Sequence, residues 1–513
     1  MTAQRVYLST TIPYVNARPH LGHALELVQA DVLARHHRLA GDQVRFQTGT
    51  DDNSLKNVLA AEAEGVAVAE LVGRYAAAFA ALREPLALSF DDFIRTSSDP
   101  RHRPGVERLW RACADRGDLY PKHYEGLYCV GCEQFYRPAE LRDGLCPEHL
   151  TQPQPVAEEN WFFRLSRYAD QLHDLISSGR LRIEPAARRN EVLGILAGGL
   201  EDFSASRSTA RARGWGVPVP GDPGQVVYVW WDALGNYVTA LGYGTGDAAD
   251  YRRWWARTDR RVHLVGKGVL RFHALYWPAM LLSAGEPLPT DIVVHDYLTV
   301  GGRKISKSGP AGDHADPAEL AARYGTDAVR WWLLREVPRL GDADFTAARL
   351  IARANDDLAN DLGNLISRAV TLVHRYRQGK VPRAGASPGA PAWREPAGRA
   401  LAEARRQIPR RSAAALAAFD FRSATTAIWE VVEEANRYVE RAEPWRLARA
   451  ERDGDIAAGA RLDETLALLI GTCSQLGREL APFLPSLAAR IRGACDDSAG
   501  SLPSAQPLFP RLR

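Results

Sequence analysis

Apolar residues recur at Leu21, Leu25, Val28 and Val32, steps of four, three and four that share one face of a helix over residues 21–35. Before it, the apolar run Val6-Tyr7-Leu8 passes into the polar turn Ser9-Thr10-Thr11 and reads as a strand. A second strand, Gln43-Val44-Arg45-Phe46, leads to Gly49-Thr50-Asp51-Asp52. Strand, helix, strand, with polar residues gathered at strand ends, predicts a doubly wound parallel sheet whose ligands sit at its carboxyl edge.

The pattern changes near residue 118. From Tyr128 to about Pro155 the chain is rich in Cys, Gly and Pro, which predicts a small metal-stabilised insertion. Apolar runs return at residues 226–230, 262–266 and 291–295, and read as strands that complete the interrupted sheet. From about residue 346 strand signals vanish and Ala, Leu and Arg dominate, in helical patterns broken by the loop Gly385-Ala386-Ser387-Pro388-Gly389-Ala390-Pro391. The expected architecture is α/β. Residues 1–117 and 226–345 form two halves of a Rossmann-like domain, 118–225 an inserted domain with a knuckle at 129–149, and 346–513 an all-α domain.

Composition narrows the function classes. At 513 residues two to four domains are expected, with the 46% hydrophobic and 25% charged residues of a globular protein. No window approaches the eighteen or so apolar residues of a membrane span, and the N-terminus lacks the apolar core of a signal peptide; a cytoplasmic location, away from membranes, is the expectation. A net charge of +3 permits a nucleic-acid partner without demanding one. Six cysteines are too few for a disulfide framework in so long a chain.

Three of those cysteines cluster. Cys129-x2-Cys132, then thirteen residues, then Cys146-x2-His149 supplies two ligand pairs on tight turns, a set suited to tetrahedral Zn2+. Four protein ligands leave no open position, so such a metal is structural. His20 and His23 stand at the first turn of the predicted helix, where unpaired N–H groups favour phosphate; two capping histidines would give the same spacing. Lys304 and Lys307 flank a polar loop, Lys304-Ile305-Ser306-Lys307-Ser308, and as mobile point charges suit a triphosphate, although a solvated loop reads alike. Trp230, Trp231, Asp232, Tyr237 and His273 suit either an apolar ligand pocket or plain core.

The combination is more specific than its parts. Pro19-His20-Leu21-Gly22-His23 and Lys304-Ile305-Ser306-Lys307-Ser308 resemble the HIGH and KMSKS signatures of class I aminoacyl-tRNA synthetases. Over nearly its whole length the chain resembles the methionyl-tRNA synthetases. The resemblance is carried by Thr10-Thr11-Ile12-Pro13-Tyr14-Val15-Asn16, by Glu158-Glu159-Asn160-Trp161-Phe162-Phe163, by Val229-Trp230-Trp231-Asp232-Ala233-Leu234-Gly235-Asn236-Tyr237, and by Phe272-His273 with Trp277-Pro278-Ala279-Met280. It implies ATP as substrate with Mg2+, bound by His20, Gly22, His23, Lys304, Ser306, Lys307 and Ser308, the two histidines and two lysines being catalytic. It implies that Ile12, Tyr14, Trp230, Ala233, Tyr237, Val269 and His273 surround the methionine side chain, with Asp51 on the α-ammonium. It implies that Asn364, Arg368 and Trp445 read the anticodon of a tRNA.

The chain also departs from that family. Asp51-Asp52-Asn53-Ser54 stands where Asp-Glu-His-Gly is common, Gly266-Lys267-Gly268 where Gly-Lys-Asp is common, and Gly309-Pro310-Ala311-Gly312-Asp313 follows the lysine loop. Ile305 replaces methionine, a mild apolar swap. These departures motivate a rival, a paralogue that adenylates an amino acid and passes it to a small molecule or carrier. A third reading is a non-catalytic tRNA-binding protein. The leading expectation is a monomeric methionine–tRNA ligase.

Overall fold

Val6, Tyr7 and Leu8 are fully buried in strand β1 (Arg5–Thr10), which runs parallel to both of its neighbours. Leu8 lies opposite Phe46 on one side and Val262 on the other, so the middle of the sheet is apolar on successive strands. The structure is a computed structural model that describes residues 3–131, 134–136, 138–147, 150–305, 315–382 and 395–513. The chain divides into two compact units, one of residues 1–84, 88–297 and 305–316, the other of residues 85–87, 298–304 and 317–513.

In the first unit, helix α1 (Leu21–Leu39) follows β1, then strand β2 (Gln43–Thr50), helix α2 (Leu55–Glu64) and strand β3 (Asp92–Arg95). The sheet has six parallel strands in the order β3, β2, β1, Arg260–Gly266, Asp291–His295 and Arg182–Glu184. Its order reverses at β1, so the carboxyl ends of β1 and Arg260–Gly266 flank a crevice of the kind that holds ligands in open α/β sheets. The predicted helix face is buried, and so are Glu26, Gln29 and Asp31 on its polar side. Glu26 accepts from the Thr11 backbone N–H at 2.6 Å, and Asp31 accepts from the Ser89 N–H at 2.7 Å, which offsets the cost of burying them.

Between the halves of this sheet lies a four-stranded antiparallel one, Gln134–Tyr136, Leu119–Cys129, Gln154–Phe163 and Phe203–Ser204. One apolar core built around Trp110, Trp231, Trp255 and Trp277 runs beneath both. The apolar run at 226–230 behaves differently from its strand reading. The strand Asp222–Val227 ends at Val227, joins a separate three-stranded sheet, and gives way to the helix Val229–Thr239. A short apolar run carries no period, so its length and burial cannot separate strand from helix.

The second unit carries a small sheet of Leu298–Val300, Arg303–Lys304 and Ala343–Asp344, and among the described residues beyond it only helices, from Ala347–Arg353 to Pro485–Ala494. Among the described residues no single helix is long and apolar enough to cross a membrane. The chain is thus an α/β protein with a parallel sheet and a helical C-terminal region.

Candidate active site

The first turn of α1 is built from its two histidines. His20 is the N-cap in extended backbone, and its Nδ1 accepts the Gly22 N–H at 3.1 Å. His23 Nδ1 in turn accepts the His20 N–H at 3.0 Å, completing a reciprocal capping box. Both Nδ1 atoms are acceptors, so in the neutral rings both protons sit on Nε2. The rings stack at 3.8 Å, and His23 rests on the edge of Phe79 at 5.0 Å. A side chain at Gly22 would meet the His20 ring at 3.0 Å, so the ring would have to shift by a few tenths of an ångström to admit one. The Nδ1 hydrogen bonds of this cap thus fix the orientation of both rings at the dipole end of the helix.

The aromatic residues pack together in the first unit. Ile12 packs in one cluster with Ala233 and Ile94. Tyr14 bridges to Asp51 and lies edge-on to Trp230 at 6.3 Å, and Trp230 stacks flat on Phe272 at 3.8 Å. Tyr237 Oη and His273 Nε2 are 2.7 Å apart, and His273 Nδ1 is 2.9 Å from the Val269 carbonyl. A carbonyl can only accept, so Nδ1 carries the proton and Nε2 accepts from the Tyr237 hydroxyl. Burial lowers the His273 pKa to about 4 and holds the Tyr237 hydroxyl well above its usual range, so both are neutral near pH 7. His273 lies in a π-helical turn, Phe272–Tyr276, that leads into the helix Trp277–Ala284.

Asp51 lies beside Tyr14. It is buried at the end of β2, its amide donates to the Pro13 carbonyl at 2.9 Å, and its Oδ1 accepts the Asn53 N–H at 3.2 Å. Next to it Asp52 accepts from Arg95, from the Ser97 hydroxyl at 2.6 Å and from Thr50. Burial nevertheless raises its pKa.

Each departure near this site has a local structural use. Asn53 Nδ2 donates to Asp232 Oδ2 at 2.8 Å, and Asp232 Oδ1 is 2.8 Å from His102 Nε2, whose Nδ1 meets Thr239 Oγ1 at 2.8 Å. The Ser54 hydroxyl caps α2 by accepting the Lys56 N–H at 3.0 Å. At Gly268, a Cβ would collide with the Tyr297 hydroxyl, and the Lys267 ammonium sits 4.5 Å over the same ring. His102, the Asp232 link and a Glu26–His295 hydrogen bond of 2.9 Å were not found by sequence reasoning. Their partners are far apart in the chain, and only Asp232, inside the segment Val229–Tyr237, carries any signal. Burial alone would depress His295, but the hydrogen bond and charge of Glu26 outweigh it and raise its pKa.

Other predicted residues are placed less fully. Cys129 and Cys146 are buried in one small cluster with Tyr136, while Cys132 and His149 lie outside the described residues. Ser306, Lys307 and Ser308 also lie outside them, and Lys304 is described as backbone in the strand Arg303–Lys304. In the second unit Asn364 is exposed at the start of the helix Asn364–Arg377, Arg368 pairs with Glu440 at 2.6 Å, and Trp445 is 40% exposed.

A family model described as class I tRNA synthetases (M) matches residues 6–154 and 136–370. The chain is 40% identical, over 534 aligned positions covering all of it and 98% of the relative, to a methionine–tRNA ligase of Brucella suis biovar 1. It is similar to a solved structure of Mycobacterium tuberculosis methionyl-tRNA synthetase in complex with methionyl-adenylate, with TM-score 0.91, 37% identity, and coverage of 99% of this chain and 100% of that one. The apo form of the same protein matches with TM-score 0.84 and 34% identity, covering 100% of this chain and 99% of that one.

Proposed function

The chain belongs to the methionyl-tRNA synthetases, class I ligases that join methionine to its tRNA, and from that premise we propose how its own residues do so. Methionine enters the pocket of Ile12, Tyr14, Trp230, Ala233, Tyr237, Val269 and His273, with its α-ammonium on Asp51. A carboxylate oxygen of methionine attacks the α-phosphate of ATP, the bond to the β-phosphate breaks, and pyrophosphate leaves. The terminal ribose hydroxyl of the tRNA then takes the acyl group and AMP departs. Nε2–H donors of His20 and His23 stabilise the phosphates as charge builds, and Lys304 and Lys307 follow the leaving pyrophosphate. Mg2+ held by the triphosphate offsets its charge.

The observation that carries this reading is the closed chain from Tyr237 through His273 to the Val269 carbonyl. Both of its protons are used internally, so Tyr237 and His273 present neither charge nor a spare donor to the methionine side chain. That suits a polarizable thioether and penalises a charged or strongly polar side chain.

Cys129 and Cys146 fit a structural Zn2+, since two soft ligands already share one buried cluster, and Cys132 and His149 complete the set by spacing. Such a metal stabilises the knuckle and takes no part in the chemistry. The form proposed is a cytoplasmic monomer.

The test is methionine-dependent exchange of pyrophosphate into ATP, followed by charging of methionine tRNA. His23→Ala is expected to lower both by about a hundredfold or more. Adenylate formation without tRNA charging would transfer the reading to a small-molecule acceptor.

A further inference from the structure

His102 is buried at the start of the helix His102–Asp115, and its ring joins two points of another helix, Val229–Thr239. Nε2 lies 2.8 Å from Asp232 Oδ1 in the first turn, and Nδ1 lies 2.8 Å from Thr239 Oγ1 at the last residue. A carboxylate only accepts, so Nε2 carries the proton, and in the neutral ring Nδ1 accepts from the Thr239 hydroxyl. Positions 232 and 239 lie two turns apart on one helix face, so a single ring fixes this helix along its axis. The two helices meet closely. A Cβ on Gly105 would come within 2.4 Å of the Thr239 side chain, and Arg101 Nη1 donates to the Ala240 carbonyl at 2.6 Å. The helix held in this way carries Trp230, Ala233 and Tyr237, three of the residues proposed for the methionine side chain.

The other oxygen of Asp232 leads to the residue proposed for the α-ammonium. Oδ2 accepts from Asn53 Nδ2 at 2.8 Å, and the Asn53 backbone N–H donates to Asp51 Oδ1 at 3.2 Å, which orients the Asp51 carboxylate. Asn57 Nδ2 holds the same turn by donating to the Asp51 and Asp52 carbonyls at 3.0 and 2.9 Å. Both Asp232 oxygens are thus engaged in a buried place, where hydrogen bonds to charge are short and strong. One carboxylate thereby ties the wall for the side chain to the anchor for the backbone. We propose that His102, Asp232 and Asn53 are positioning residues that fix the separation of Asp51 from the helix bearing Trp230, Ala233 and Tyr237, and so select methionine over an amino acid one methylene shorter. The inference rests on the methionine-pocket reading above and adds the residues that set its length.

The experiment measures pyrophosphate exchange into ATP by the full chain, with methionine and with S-methylcysteine, its homologue one methylene shorter. The unmodified protein should favour methionine in kcat/KM by roughly a hundredfold, within the range that one methylene gives in a fitted apolar pocket. His102→Phe would strand a buried carboxylate and unsettle the fold, so the variants are Asn53→Leu and Thr239→Val, which keep the His102–Asp232 pair. Each should lower kcat/KM for methionine about tenfold, through the KM for methionine, with the KM for ATP unchanged. S-methylcysteine, which never spans the two anchors, should be nearly unaffected, so the preference falls about tenfold. The double variant should also lose about tenfold rather than a hundredfold, because either change breaks the same link. Asn53→His restores an N–H toward Asp232 and should recover most of the preference. An equal loss for both amino acids, or an unchanged preference in Asn53→Leu, would make the network a plain structural support and overturn the proposal. So would losses that multiply in the double variant. If the unmodified protein shows no methionine-dependent exchange, the functional reading itself has failed, a result separable from these.

Discussion

His273 shows how one side chain links pocket chemistry to stability. Its pKa of about 4 in the folded chain lies below the ordinary 6.5, so between these values the unfolded chain binds a proton that the folded chain refuses. Stability is fully present above about pH 6.5 and falls as pH drops toward 4, by on the order of 3 kcal/mol from this group. His263, fully buried with Nδ1 2.6 Å from the Ser9 hydroxyl, is shifted in the same direction by burial and adds to the loss. Thermal melts from pH 7 to pH 4.5 should show a falling Tm, and His273→Gln should flatten part of that slope. An unchanged slope would remove His273 as its source. Gly268 supplies a second prediction at this scale. Gly268→Ala forces its Cβ into the Tyr297 hydroxyl and should cost about 1–3 kcal/mol. Tyr297→Phe leaves the ring carbon at 3.3 Å as the nearest atom, so the double variant should recover most of that loss in a denaturation cycle.

At the scale of elements, α1 begins at a reciprocal cap: His20 Nδ1 satisfies the Gly22 N–H, His23 Nδ1 satisfies the N–H of His20 itself, and the same hydrogen bonds orient the rings. The cap of α2 is more conventional, with a serine hydroxyl on the Lys56 N–H. The knuckle is held differently. Its hairpin strand Gln134–Tyr136 is short, and the cluster of Cys129, Tyr136 and Cys146 is too small to be a core of its own. For the zinc proposed above, a chelator or Cys146→Ser should release about one metal ion per chain and lower the Tm by roughly 5 °C. Metal-free protein with an unaltered Tm would show that the insertion stands without it.

At the scale of the molecule, the predicted duties fall on different units. The residues of the proposed methionine pocket and α1 belong to the first, and Asn364, Arg368 and Trp445 to the second. Exposing an indole to water costs apolar burial, which fits a surface that stacks an unpaired base. Trp445→Ala should therefore raise the KM for tRNA about tenfold and leave methionine-dependent pyrophosphate exchange unchanged. A matching loss in exchange would tie Trp445 to folding or activation instead.

Much of this protein is written in short stretches of its chain. The helix period at Leu21, Leu25, Val28 and Val32, the paired histidines and, among the described residues, the absence of strands beyond Ala347 are local patterns, and these survive translation into structure. The run at 226–230 lacked such a period, and its outcome depended on which neighbours buried it. Tertiary structure alone decided the rest. His102 reaches Asp232 across 130 positions, Glu26 reaches His295 across 269, and Arg207 and Arg211 come to face Tyr228 and Tyr128 only after the insertion folds back. Protonation states followed the same rule, since desolvation and hydrogen-bond partners exist only once the sheet has brought distant strands together.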